Sequence, residues 1–311
     1  NVIFGTDAHV CWDKFAQYFD VDAVRIPIDK NTRTITAEAV SKCIDENTIA
    51  VGCVLGTTFT GEIDPVKDIN DLLLKYKREK GWDIPIHIDA ASGGFILPFT
   101  EPDFEWDFRL DRVRSINVSG HKYGLTYPGL GWLVFREETD LPKDLIFTVD
   151  YLGEEEDTYT LNFSKSGAMV VAQYYNILRF GKAGYTRIMK NILDVSQDVA
   201  EKLDKLGRFE MLNRGEHLPI IAFKHKNEVG YSLLKLSHKL REKGWIVPSY
   251  HLPKDAEDIE IMRIVVRENF TSDMATILVE DIEKACQFLE TEAKLEVKEN
   301  FQHEKSRTNI C

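Results

Sequence analysis

The chain has 311 residues, room for about two domains, and its 43% hydrophobic and 29% charged residues are the balance of a globular protein with a sizeable core. A net charge of −12 argues against a general binder of nucleic acid or acidic membrane, because phosphate affinity needs basic clusters. The five cysteines are odd in number and scattered without a CxxC pair, which favours reduced thiols in a cytoplasmic protein over a disulfide framework or metal site; no apolar run approaches the roughly 18 residues of a membrane helix.

The chain opens at Asn1, without a methionine and directly in the apolar run Val2-Ile3-Phe4, which reads as an interior strand of a longer protein. Short β-branched runs then alternate with amphipathic stretches, the pattern of a βαβ sheet with covering helices. The predicted strands are Val2–Phe4, Ala23–Ile26, Ile49–Leu55, Ile86–Ile88, Ser115–Val118 and Gly131–Phe135; the predicted helices are Trp12–Phe19, Ala37–Glu46 and Pro65–Lys80. Thr36 is expected to cap the second helix and Asp64 the third, where Pro65 takes the first helical position and Gly81 the end. The nearly unbroken apolar run Ile49–Leu55 predicts a strand buried on both faces, as in a parallel sheet.

Residues 151–157 are polar and acidic between apolar flanks and read as an exposed hairpin or lid. Two helical patterns follow, Ala168 to about Phe180 and Tyr185 to Leu206. The remainder predicts strands Phe209–Leu212, Leu218–Lys224, Trp245–Pro248 and Ile261–Val266, helices Tyr231–Lys243 and Asp273–Thr291, and a polar tail, Glu292–Cys311, that frays. The fold class is α/β: a mostly parallel central sheet with flanking helices over residues 1–192, and a small α+β domain over 193–311.

The most informative residues are His121-Lys122, after Ser119-Gly120, and the earlier run Asp89-Ala90-Ala91-Ser92-Gly93-Gly94. A lysine fixed behind one strand and a carboxylate at the end of an earlier one are what pyridoxal phosphate chemistry requires. The lysine forms an imine with the cofactor aldehyde, and the carboxylate keeps the ring nitrogen protonated so that the ring takes up electrons. Ala91, Ser92, Gly93 and Gly94 are expected to leave room for a flat ring, and Gly120 and Gly124 to bring backbone close to a ligand. In isolation Lys122 also reads as a surface lysine and Asp89 as the cap of a helix begun by Ala90-Ala91.

The segments Cys11-Trp12-Asp13-Lys14-Phe15, Gly56-Thr57-Thr58-Phe59-Thr60-Gly61, His87-Ile88-Asp89-Ala90-Ala91-Ser92-Gly93-Gly94, Trp106-Asp107-Phe108-Arg109-Leu110, Ser119-Gly120-His121-Lys122-Tyr123-Gly124-Leu125 and Asn162-Phe163-Ser164 closely resemble the glutamate decarboxylases. These belong to the group II pyridoxal-phosphate decarboxylases of fold type I, and the likeness runs from Asn1 to about Leu289. It implies decarboxylation of L-glutamate to 4-aminobutanoate (GABA) and carbon dioxide. Decarboxylation of aspartate or an aromatic amino acid, or an inactive truncated subunit, are the alternatives.

By the same resemblance, Lys122 carries the cofactor, Asp89 holds its ring nitrogen, and Ala91 and His9 lie against the two ring faces. Thr58 sits beside cofactor and substrate, Ser119 and His121 near the phosphate, and Ser164 on the phosphate of a neighbouring subunit. Arg263, with Thr58 and Phe163, serves the substrate; Tyr151 lies in a mobile lid and, like His121, is a candidate proton donor. A homodimer or higher homo-oligomer with shared active sites is implied. The blander readings are a loop histidine for His9, a turn hydroxyl for Thr58, packing for Tyr151, and an Arg263 paired with Glu260 or Glu268. The family also carries, ahead of the position of Asn1, a Ser/Gly-rich phosphate cradle and most of the pocket for the distal carboxylate. The tail from Lys298 lacks the tryptophan-flanked basic helix that binds calmodulin in plant relatives.

Overall fold

A computed structural model describes the backbone of residues 1–150, 153–162 and 164–308, and side chains as far as residue 295. In chain order the first elements are β1 (Val2–Gly5), α1 (Cys11–Tyr18), β2 (Ala23–Ile26), α2 (Ala37–Cys43), β3 (Ala50–Val54), α3 (Val66–Lys80), β4 (Ile86–Asp89), α4 (Leu97–Thr100), β5 (Val113–Ser119) and β6 (Gly131–Phe135). They form a six-stranded sheet in the order β2-β1-β3-β4-β5-β6, in which the first five strands run parallel and β6 pairs antiparallel with β5.

Side chains alternate across the sheet, so each strand feeds two layers. Val51, Cys53, Ile86, Ile88, Val113 and Ile116 join Val40 of α2 and Ile69 and Leu73 of α3 in the main core. Val2 and Phe4 turn to the opposite face and pack against Trp12 of α1. There Gly52 is obligatory: a Cβ at that position would stand 2.3 Å from the Trp12 ring, so the indole lies directly on the strand.

Local signals hold at several ends. The Thr36 hydroxyl accepts from Ala39 N, and Gly81 closes α3 at φ 75°. Helix α2 stops at Cys43, short of the expected Glu46, because Ile44 turns extended (ψ 133°). Asp64 does not cap α3. Its carboxylate accepts from Ile35 N (3.1 Å) and Val54 N (2.6 Å), satisfying backbone donors from two other segments in the buried interior. Around the acidic stretch, β7 (Phe147–Val149) pairs antiparallel with β8 (Glu156–Thr158). The two helical patterns that follow form α5 (Ala168–Lys205), broken at Gly181, whose backbone leaves the helix at φ 55°.

The last elements are β9 (Phe209–Arg214), β10 (Ile220–His225), α6 (Leu233–Arg241), β11 (Ser249–His251), β12 (Glu260–Val265) and α7 (Ser272–Thr308), with an antiparallel sheet in the order β11-β12-β10-β9. The expected strand Trp245–Pro248 is not one. Pairing starts only at Ser249, Trp245 donates its indole N–H to Asp281 (2.9 Å), and Pro248 has no N–H for a ladder. Helix α7 continues through the tail that was expected to fray, which holds neither glycine nor proline and is rich in helix formers.

The chain divides into two compact units. The first comprises Asn1–Pro27, Thr34–Thr57 and Ile63–Arg187; the second comprises Ile28–Arg33, Thr58–Glu62 and Ile188–Cys311. Two short segments from the first half of the sequence thus belong to the second unit. Arg33 ties them together through Glu62 (2.7 Å) and reaches Leu212 O (3.1 Å), while Tyr250 donates its hydroxyl to Phe59 O (2.6 Å). Among the described residues no helix is long and apolar enough to cross a membrane.

Candidate active site

In the first unit, the carboxyl ends of β4 and β5 lie side by side, the place where open α/β sheets bind ligands. Asp89 ends β4 and is 5% exposed. Its Oδ1 accepts from Ala91 N (3.2 Å) and Asn117 Nδ2 (3.1 Å), and its Oδ2 from the Trp12 indole N–H (3.3 Å). No helix begins at Ala90-Ala91 for Asp89 to cap; the next element is a single 3₁₀ turn at Gly93–Phe95.

Lys122 sits in the turn after β5, and its Nζ approaches the buried Ser92 hydroxyl at 3.5 Å. The two strand ends also meet through the backbone, Ser119 N donating to Ala91 O (3.4 Å). The Cys11 thiol senses both charges: burial foremost, then Asp89, push its pKa up, while Lys122 pulls it down. Lys122, Asp89, Ala91, Ser119 and His121 therefore share one neighbourhood.

The glycines of both turns meet close protein neighbours. A Cβ on Gly93 would meet Leu55 O at 2.7 Å and one on Gly94 would meet Val118 at 2.6 Å, so both let the turn after β4 settle onto the sheet. Gly120 and Gly124 are pressed against the Gln173 side chain, at 2.8 and 2.7 Å from a built Cβ. The Gln173 amide N–H (2.9 Å) and the Tyr185 hydroxyl (3.1 Å) both donate to Gly124 O and so clamp the turn that carries Lys122.

His9 is exposed, and its Nδ1 accepts from Cys11 N (3.2 Å) at the start of α1. Ser164 is exposed. Tyr151 and Phe163 lie outside the described residues. Thr58 and Arg263 come together in the second unit, where the guanidinium donates to Thr58 O and lies 5.6 Å from the Tyr250 ring. Neither expected acidic partner takes Arg263. Glu260 accepts from Leu233 N and Leu234 N, and Glu268 pairs with Arg267, so no carboxylate contacts Arg263 among the described residues.

Sequence reasoning missed Trp12, His87, Ser115, Asn117 and Gln173. A signal existed for three of them: His87 lies two residues before Asp89, and Ser115 two before Asn117, so each strand carries polar groups on one face. These residues, with Cys11, Trp12 and Leu133, line a cavity of about 500 Å³ on that face of the sheet.

Comparisons with known proteins agree with this geometry. The chain is 46% identical over 292 residues to a glutamate decarboxylase of Solanum lycopersicum, covering 94% of this chain and 58% of that one. It is 46% identical over 291 residues to a glutamate decarboxylase of Aliivibrio fischeri, covering 93% and 62% respectively. A Lactobacillus brevis glutamate decarboxylase structure superposes with a TM-score of 0.90 at 41% identity, over 93% of this chain and 66% of that chain. The chain thus spans less than two thirds of the length of these relatives. A sphingosine-1-phosphate lyase of Burkholderia pseudomallei shares the fold at 22% identity and a TM-score of 0.78. Residues 1–226 match the model of the pyridoxal-dependent decarboxylase conserved domain, so that the parallel sheet, with a carboxylate and a lysine at neighbouring strand ends, marks a member of the pyridoxal-dependent decarboxylase family.

Proposed function

We propose that the protein decarboxylates L-glutamate to 4-aminobutanoate and carbon dioxide with pyridoxal phosphate as cofactor. The observation that carries this reading is Lys122 beside Asp89 at adjoining strand ends, in a chain 46% identical to a plant glutamate decarboxylase. When bound, pyridoxal phosphate supplies an aldehyde for the substrate amine and a protonated ring that takes up the electron pair released as carbon dioxide leaves.

The side chains fit that group. A carboxylate offers about four lone-pair sites; Asp89 uses three on Ala91, Asn117 and Trp12 and keeps one, on Oδ2, for a ring N–H. His121, next to the lysine, holds a buried Nδ1 with no hydrogen-bond partner among the described residues, an atom that a polar group of the cofactor would satisfy. In this reading Lys122 holds the cofactor through Nζ and Asp89 through the ring nitrogen, with Ala91 and His9 against its faces. Ser119, His121, Thr58 and Ser164 supply polar contacts, and Arg263, Thr58 and Phe163 orient the substrate. The fixed charge of Asp89 would hold a proton on the ring nitrogen. Tyr151 or His121 delivers the proton to the α-carbon.

The working form is a cytoplasmic homo-oligomer with shared active sites. Support comes from the exposed Val170, Val171, Tyr174, Tyr175 and Leu178 on α5, and from the free Cys11, Cys43, Cys53 and Cys286. The test is to incubate the protein with pyridoxal phosphate and L-glutamate and to measure 4-aminobutanoate and carbon dioxide, which are expected in equal amounts. Faster turnover of aspartate or an aromatic amino acid would overturn the substrate assignment, and no turnover of any of them would favour an inactive subunit.

A further inference from the structure

Behind Asp89, on the same face of the sheet, stands a row of polar side chains. The parallel register pairs His87 with Ser115 and Asp89 with Asn117, so four polar residues face one way in two adjoining rungs. His87 Nδ1 lies 2.7 Å from Ser115 Oγ, and its Nε2 lies 2.8 Å from Asn117 Oδ1. Asn117 Nδ2 in turn lies 3.1 Å from Asp89 Oδ1.

Every donor in this row is determined. An ionised carboxylate only accepts, so Asn117 presents its NH₂ to Asp89 and its carbonyl oxygen to His87. The imidazole Nε2 must then carry the hydrogen. Burial depresses the His87 pKa and favours the neutral ring, which leaves Nδ1 bare to accept the Ser115 hydroxyl. Each hydrogen thus points towards Asp89, from Ser115 to His87 to Asn117 to the carboxylate. The ring has little freedom to turn, because Trp12 meets it edge-on (5.6 Å, 64°) while resting on Gly52.

We propose that His87 is a positioning residue for the cofactor: through Asn117 it fixes the orientation of the Asp89 carboxylate, so that the open lone pair on Oδ2 is aimed at the ring nitrogen. This rests on the reading that Asp89 receives that nitrogen. Hydrogen bonds in such a row polarise one another, and removing one link loosens those beyond it. In this role His87 acts through Asn117 and Asp89.

The experiment is a double-mutant cycle on pyridoxal phosphate affinity in the full-length protein, read by fluorescence titration, with the ring nitrogen followed by NMR of ¹⁵N-labelled cofactor. His87→Leu is expected to weaken affinity by about tenfold, the size of one lost hydrogen bond to a charged network, and to move the nitrogen signal towards its unprotonated position. In an Asp89→Asn background the same substitution is expected to change nothing further. His87→Gln, which keeps an amide N–H for Asn117, should restore both readouts, and it decides the matter if His87→Leu fails to fold. An equal loss from His87→Leu in both backgrounds would mean a merely structural histidine and would overturn the proposal. So would a His87→Gln protein that behaves like Asp89→Asn. If instead the wild type binds cofactor no better than Asp89→Asn, the role of Asp89 fails first.

Discussion

At the scale of single residues, the proposed function assigns the chemistry to two side chains, Lys122 and Asp89. Lys122→Ala should abolish turnover and leave no cofactor attached after borohydride reduction, while circular dichroism stays that of the wild type; labelling at another lysine would end the assignment. Asp89→Asn keeps the shape of the carboxylate but not its charge. The rate should fall by at least ~100-fold, as when one preorganised electrostatic group is removed from an active site. Near-normal turnover in Asp89→Asn would mean that the ring nitrogen has another partner. Trp12 acts on the same carboxylate from α1, and its position depends on Gly52 being bare. Gly52→Ala should therefore lower the denaturation midpoint by the equivalent of about 1–3 kcal/mol, the usual cost of overpacking, and weaken cofactor binding as well. A variant as stable as the wild type would show that the indole is not wedged against β3.

At the scale of elements, Asp64 links β3 to the segment before α2. It is 2% exposed, and burial foremost, then the charge of the equally buried Asp7, push its carboxyl well above the usual carboxylate range despite two backbone N–H donors. The protonated form is thus favoured in the folded state. The stability this contributes is complete below the unfolded carboxyl pKa of about 3.9, and it is lost as pH rises through the raised folded value. Asn in place of Asp64 cannot accept from both Ile35 N and Val54 N, and it does not titrate. Asp64→Asn should be less stable than the wild type in mild acid, by about 1–3 kcal/mol for an unsatisfied buried donor. The gap should narrow as the pH rises. Urea titrations of both proteins at successive pH values check this, and a gap independent of pH would refute the shifted carboxyl.

At the scale of the whole molecule, the first turns of α5 expose Val170, Val171, Tyr174, Tyr175 and Leu178, whose spacing places them along one side of the helix. Exposed apolar stripes of this kind generally mark an interface. Replacing Tyr174 and Leu178 together by glutamate should convert an oligomer to smaller species in sedimentation velocity. Both side chains are solvent-exposed, so fold stability should change little. An unchanged sedimentation coefficient would place the subunit interface elsewhere.

The sequence by itself determined what local chemistry can determine. Alternating apolar runs specify strands, Thr36 and Gly81 punctuate helices through their own hydroxyl and φ, and the motifs around Asp89 and Lys122 carry the resemblance to the pyridoxal-dependent decarboxylases. Long-range register is not a local property, and it decided the rest. It set His87 against Ser115 and Asp89 against Asn117, turning two strand faces into one polar row. It carried Asp64 away from the helix it precedes, to backbone donors at Ile35 and Val54. It gave the glycines of the Asp89 and Lys122 turns neighbours in Leu55, Val118 and Gln173, all remote in the chain. It also joined Thr58 to Arg263 in a unit built mostly from the other end of the sequence. Pairing across strands and packing between elements satisfy a polar or crowded atom only once the chain has closed on itself, so no window of sequence contains the partner.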